Sequence, residues 1–425
     1  MDKLLKEIVE NRTENSKTFD IGNGNRRMTT QMGAVHYKDD YTDNAEGWKD
    51  IDLNWDGNKI TKAPYELTLK GKKITIRNKK TNKTTTIEID SIGGNKLSKM
   101  TLEKSKGFAK INNVAQDTDI EIGIENSAVK FSRIIKSNKA PLDAKFKIIG
   151  DTSLIKIKAS DEDGNLPVDN TIKDGILTER LNSNREIKYP VKIDPTWQVG
   201  TGTDDAYRRI ETDNNWNLTD INITVGAYNG TYYEYGGGMR FTNITIPQGA
   251  TITEAYLTLR CSNTGQGATN SRISAEDVDD APTFADNKTT FDTRWAARTT
   301  ARVDWDAIPD WTLNNDYNSP EIKTVIQEIV DRGGWSSGND IVIFWDDFED
   351  RSTHAERRHH AYAYEGSSTY APKLIITYGA AGIKAQINIG DNWKEATAAK
   401  INIADDWKEV VGIQQNISDT WKTVF

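Results

Sequence analysis

From Phe19 onward the apolar residues fall on every second position in one segment after another, and this period-two alternation admits little besides antiparallel sheet. Residues 73–77 and 84–89 set isoleucines on one face and are separated by a polar stretch, which predicts a hairpin. Residues 119–125, 128–135, 144–149 and 153–159 alternate in the same way, and Asp163-Gly-Asn165 supplies turn chemistry after the last of them. In the second half Ala255, Leu257, Leu259 and Cys261 share one strand face, while Tyr256, Thr258 and Arg260 share the other. Residues 340–345 and 373–378 read as two more core strands of a sandwich. The expected class is all-β.

Two stretches depart from that period. Ile322, Val325, Ile326, Ile329 and Val330 recur at helical spacing, with Ser319 as the expected N-cap, Pro320 in the first turn and Gly333 as the stop, so a single helix should pack over the sheet. Near the start, Leu4, Leu5, Ile8 and Val9 line one side of a short helical pattern, which predicts a helical arm over residues 1–17. These opening residues mix charges among their apolar positions and lack the hydrophobic core of a secretory signal.

At 425 residues the chain exceeds one ordinary core, and its charge changes character midway. Residues 1–200 hold 35 basic and 30 acidic side chains, mostly Lys among the bases; residues 201–425 hold 20 and 33, with Arg in the majority. Pro190 and Pro195 bracket a short strand where this shift occurs, and a boundary is expected near residue 195. The chain thus divides into the arm at 1–17, a Lys-rich antiparallel β domain at 18–195, a jelly-roll sandwich at 196–379 and a repeat region at 380–425. In that last region Ile389, Ile403 and Ile417 are spaced 14 apart, as are Asp391, Asp405 and Asp419, and so are Trp393, Trp407 and Trp421. Each unit reads as a β-hairpin too small to bury a core alone, so a homo-oligomer is expected, with a trimer as its order and the three tryptophans in equivalent layers.

Few residues suggest chemistry. One cysteine and four histidines cannot supply a zinc or iron–sulfur framework, Cys261 reads as a buried small residue, and neither a metal nor a cofactor is expected. Gly22-Asn-Gly24 lacks the helix a nucleotide fingerprint requires, and residues 161–165 read as a hairpin turn rather than a calcium loop. Residues 346–360, rich in Asp, Glu, Arg and His, contain no H-E-x-x-H and read as a solvated loop laced with Arg–carboxylate pairs. Catalytic triads are not recognisable, nucleic-acid binding is not expected from a nearly balanced basic half, and no run is long and apolar enough for a membrane span. The better lead is aromatic: Tyr228, Tyr232, Tyr233 and Tyr235 flank a Gly-Gly-Gly run, and flat amphipathic rings in an exposed glycine-rich loop are what sugars stack on. The competing reading packs them on a sheet edge, as Trp295, Trp305, Trp311, Trp335 and Trp345 are expected to pack in the core.

The run from Glu186 to Thr196 resembles the segment that closes the N-terminal β domain of large surface and wall-associated proteins. Thr203-Asp-Asp-Ala-Tyr-Arg-Arg209, Tyr235-Gly-Gly-Gly-Met-Arg-Phe241, the stretch from Ile246 to Leu259, and Ala371-Pro-Lys-Leu-Ile-Ile-Thr-Tyr378 together resemble the DNRLRE-type β-sandwich, a jelly roll similar to carbohydrate-binding modules. The 14-residue repeat is similar to the C-terminal tails of tailed-phage particle proteins. These resemblances imply a non-enzymatic structural and adhesion protein of a phage particle, located in the virion, with other virion proteins and host surface glycans as partners. The alternatives are a secreted or surface bacterial carbohydrate-binding protein and a polysaccharide-degrading enzyme.

Overall fold

The structure is a computed structural model that describes residues 6–96, 102–151, 155–161, 164–183, 185–198, 202–210, 215–228, 233–264, 267–352 and 357–381, and six short strands beyond them. It is all-β, built from antiparallel sheets with two helices among the described residues.

Two large sheets make up the first unit, from Lys59 to Gln198. One runs Val168–Lys173, Ile176–Leu181, Asp143–Gly150, Thr84–Ile92, Lys73–Asn78, Tyr65–Lys70, Lys59–Ile60. The other runs Glu103–Ser105, Phe108–Ala115, Thr118–Ile124, Ala128–Ile135, Val191–Gln198, Ile155–Asp161, Gly164–Leu166. The predicted hairpin forms with Ile74 opposite Ile87. Because each strand alternates, the inward isoleucines of both sheets meet in one core, where Phe131 and Phe146 pack edge to face at 5.4 Å and Tyr65 packs on Trp197 at 5.7 Å. Trp197 belongs to Val191–Gln198, a strand that runs straight through Pro195 with Ile157 opposite it. The strand therefore carries the first unit past the boundary expected near 195.

The second unit is one curled 14-stranded sheet. Its axis is the strand Ala250–Asn263, which pairs with Lys373–Ala381 along its first part and, after a bulge, with Arg357–Tyr362 near its end. Register shifts along this strand let it bend and the sheet close over a core. Ala255, Leu257, Leu259 and Cys261 lie inside as their alternation predicts, and Trp311, Trp335 and Trp345 are buried with them.

The chain's start does not form the expected helical arm where it is described. Lys6–Glu7 is strand, Val9–Asn11 is a single 3-10 turn, and Ser16–Gly22 and Asn25–Gln31 form a hairpin whose second strand pairs with Lys373–Ala381. Residues 6–31 thus extend the sheet of the second unit. A lone helix of so few residues is marginal in water, whereas the strand pairing gives the backbone of this segment hydrogen-bond partners; Val9 stays 57% exposed.

The helix Lys323–Val330 buries Val325, Ile326, Ile329 and Val330 as predicted. Its start differs: Ile322 occupies the N-cap, and Ser319 Oγ instead accepts from Leu257 N and donates to Pro320 O. A second helix, Lys288–Ala296, is capped by Asn287, whose side chain accepts from Thr290 N. With only Phe291 and Arg294 buried, it lacks the apolar stripe that marks a helix in sequence.

In the repeat region Gln386–Ile389 pairs with Asn392–Glu395, Lys400–Ile403 with Asp406–Glu409, and Gln414–Ile417 with Thr420–Thr423. The hairpin per 14 residues is formed, with Trp393, Trp407 and Trp421 each opposite an Asn. The side chains of these tryptophans lie outside what the structure describes.

Candidate functional site

The tyrosine segment is not an exposed glycine loop in its described part. Gly236, Gly237 and Gly238 lie in the buried middle of the strand Tyr233–Phe241. A Cβ on Gly238 would come within 2.5 Å of the Phe284 ring, one on Gly236 would meet Asp346 and Phe348, and one on Gly237 would meet Ala206 O, so each glycine admits a neighbour that a side chain would displace. Tyr235 is 2% exposed, packed against Tyr207 at 6.1 Å with the Arg358 guanidinium 5.4 Å above its ring, and cannot stack on a ligand. Tyr233 is half-buried under Arg209 at 5.1 Å. Tyr232 and the side chain of Tyr228 lie outside the described residues.

The acidic and basic run at 346–360 is likewise mostly internal where described. Asp346 accepts from Trp295 Nε1 at 3.0 Å and from Phe348 N at 3.2 Å, and Asp347 accepts from Arg351 N at 2.8 Å. Burial pushes both carboxyls up to about 6. His359 bonds Thr269 Oγ1 and Pro309 O, and burial lowers its basicity. The expected Arg–carboxylate pairing is found at Glu349, on which Arg272, Arg298 and Arg302 converge, and at Arg351, which meets Asp304 and Asp306. No group of three His, Cys, Asp or Glu among the described residues is placed to hold a metal ion.

A cleft between the two units gathers more polar chemistry. Its floor is the outer face of the second sheet of the first unit. The strand Val191–Gln198 turns Val191, Ile193 and Trp197 into the core, which leaves Lys192, Asp194 and Thr196 on the opposite face. Pairing places Lys158 opposite Asp194, Ser160 opposite Lys192, and Lys130 opposite Thr196, so one sheet face carries three ammonium groups within adjacent strands. The far wall comes from the second unit: Asn222, Ser262, Tyr362 and the turn at Glu365–Gly366. Between them lies a space of about 240 Å³, somewhat below the roughly 300–1,000 Å³ of drug-sized sites.

The walls are held in place by direct bonds. Ser368 N donates to Glu125 Oε2 at 2.7 Å, Ser127 N to Ser368 Oγ at 3.2 Å, and Asn126 N to Thr369 Oγ1 at 3.2 Å. Lys130 lies 3.1 Å from Glu125 and donates to Gly366 O, and Lys158 donates to Thr219 O. The buried Ser132 Oγ donates to Asp194 at 2.8 Å, and within the cleft Ser262 Oγ donates to Asn222 Oδ1 at 2.6 Å. Behind Glu365 sits Asp205, wholly buried. Burial first, and the adjoining Glu365 carboxyl second, hold Asp205 well above the usual carboxylate range. Burial also raises Asp220.

No protein-family model and no curated relative matches the chain. Among solved structures it is similar to PNGF-II, at 11% identity and a TM-score of 0.17, over 76% of this chain and 65% of that one, so it spans just under two thirds of that protein's length. It is also similar to the N-terminal domain of the Streptococcus gordonii adhesin Sgo0707, at 8% identity and a TM-score of 0.13, over 89% and 93%. Likenesses this distant carry no argument about fold or function.

Sequence reasoning passed over the cleft. Lys192, Asp194 and Thr196 were legible as the polar face of an amphipathic strand, and such a face ordinarily meets only water. Nothing local says that Asn222, Ser262 and Tyr362 come to cover it.

Proposed function

We propose that the chain is a non-enzymatic attachment protein of a phage particle that binds glycan in the cleft between its two β units. The observation that carries the ligand reading is the cleft itself: hydroxyl, amide and ammonium groups converge beside the Tyr362 ring, the mixture that a sugar's hydroxyls and apolar face require. The hairpin series at the C-terminus supports the attachment reading, since units of that size gain stability by stacking on other copies or on a partner. Binding at one such site is expected near millimolar, and display in many copies supplies the avidity.

A glycan array probed with the whole chain and with Ser160→Tyr, which fills the cleft from an outward-facing strand position, tests the ligand reading. Glycans bound by the native chain and lost on filling support it; glycans bound equally by both place the site elsewhere. One observation favours a competing reading, hydrolysis: Glu365 lines the cleft with Asp205 buried against it as a carboxyl pair. New reducing ends from the bound glycans, abolished by Glu365→Gln, would replace the binding reading with a hydrolytic one.

A further inference from the structure

We infer that the cleft is built for an anionic glycan and takes the phosphate of a phosphodiester-linked sugar or polyol, with Lys192 as the side chain that meets it. This rests on the reading of the cleft as a glycan site and adds the charge of the ligand to it.

Three ammonium groups, from Lys130, Lys158 and Lys192, line a single wall, against Asp194 and Glu365 as the lining carboxylates. Lys192 is the group most available. Its side chain is 45% exposed, and among the described residues its ammonium meets only Asp194, at 3.6 Å. A lysine ammonium has three donors, so this single long contact leaves it able to bind an anion. Asp194 is itself engaged by Ser132, which ties down the one carboxylate that competes for Lys192.

The neighbouring acids do not all compete for Lys192. Glu125 is engaged by Lys130 at 3.1 Å, burial holds Asp205, against Glu365, well above the usual carboxylate range, and burial raises Asp220. That leaves the exposed Lys192 as the group an entering anion meets.

The choice between carboxylate and phosphate follows from the type of cation. The lining cations are lysines, each a compact ammonium charge with three rotatable donors, the form in which lysine binds phosphate. Separate ammonium point charges arriving from three strands suit a tetrahedral group with oxygens in several directions. Asn222, Ser262 and Tyr362 on the facing wall supply partners for the hydroxyls on either side of the phosphate.

Calorimetric titration of the whole chain with four probes tests this: a phosphodiester-linked polyol oligomer, the same polyol without phosphate, a uronate oligomer of equal length, and inorganic phosphate as competitor. The phosphodiester oligomer should bind at least tenfold tighter than the neutral one, weaken with added salt, be displaced by inorganic phosphate, and lose about tenfold in affinity with Lys192→Gln and more with Lys192→Glu. Lys192 is exposed enough that both variants should keep the native melting temperature, which is measured alongside. Equal binding of neutral and phosphorylated oligomers would overturn the anionic assignment and leave the glycan site standing. Tighter binding of the uronate would overturn the choice of phosphate, and no binding of any oligomer would overturn both the inference and the glycan reading of the cleft.

Discussion

Met28 lies opposite Ile376 in adjacent antiparallel strands, and both side chains are wholly buried in the core of the second unit. The strand Asn25–Gln31 pairs with Lys373–Ala381 from Asn25 opposite Gly379 to Gln31 opposite Lys373, so the beginning of the chain completes the sheet at its far end. Without that hairpin the strand Lys373–Ala381 becomes an unpaired edge with an apolar face. Deletion of residues 1–31 should lower the melting temperature and produce self-association in light scattering, and Met28→Ala should cost about 2–5 kcal/mol in urea unfolding. A deletion variant that stays monomeric with an unchanged melting temperature counts against this account.

Arg133 and Glu179 join the two sheets of the first unit. Both side chains are fully buried, Arg133 Nε donates to Glu179 Oε1 at 2.8 Å, and the remaining guanidinium donors go to Pro141 O at 2.8 Å and Leu142 O at 3.0 Å. Burial raises the Glu179 carboxyl in spite of the arginine. Removing one partner strands a charge, so Glu179→Ala should cost about 3–5 kcal/mol, while Arg133→Met combined with Glu179→Leu should recover most of that loss. Chemical denaturation of the two variants measures it, and a double variant no better than the single one would show that the pair is needed as a pair.

Gly238 has no room for a methyl group under Phe284 and Phe291. Gly238→Ala should therefore destabilise the second unit by about 1–3 kcal/mol through overpacking. Adding Phe284→Leu to make space should return part of it. If Gly238→Ala melts like the native chain, the aromatic cluster is looser than its geometry indicates.

Asp346 offers a pH readout. With Trp295 Nε1 donating to a carboxyl whose buried value is about 6, the indole N–H resonance of Trp295 should titrate with a midpoint near 6. The sign for stability follows. An unfolded Asp loses its proton near pH 4, so between about pH 4 and 6 the folded chain holds a proton that the unfolded chain has given up. This group's contribution is fully present below the unfolded value and is lost as the pH rises through the folded one. A Trp295 midpoint at or below 4 would show that solvent reaches the carboxyl.

The alternation of apolar and polar residues determined by itself that this protein is built of strands, which side of most strands faces a core, and that Cys261 and the central tryptophans are inside. It also determined the C-terminal hairpins, because a turn and its two flanks lie within 14 residues. The tertiary structure decided the rest. Residues 6–31 joined a strand near residue 375, the polar triplet Lys192, Asp194, Thr196 was roofed by Asn222 and Tyr362, and Tyr235 was drawn inside beside three glycines that look like a loop in sequence. Side-chain period is a property of neighbours along the chain. Strand partners are chosen by which edges and apolar faces remain to be covered after the local hairpins form, and that choice is made between segments hundreds of residues apart.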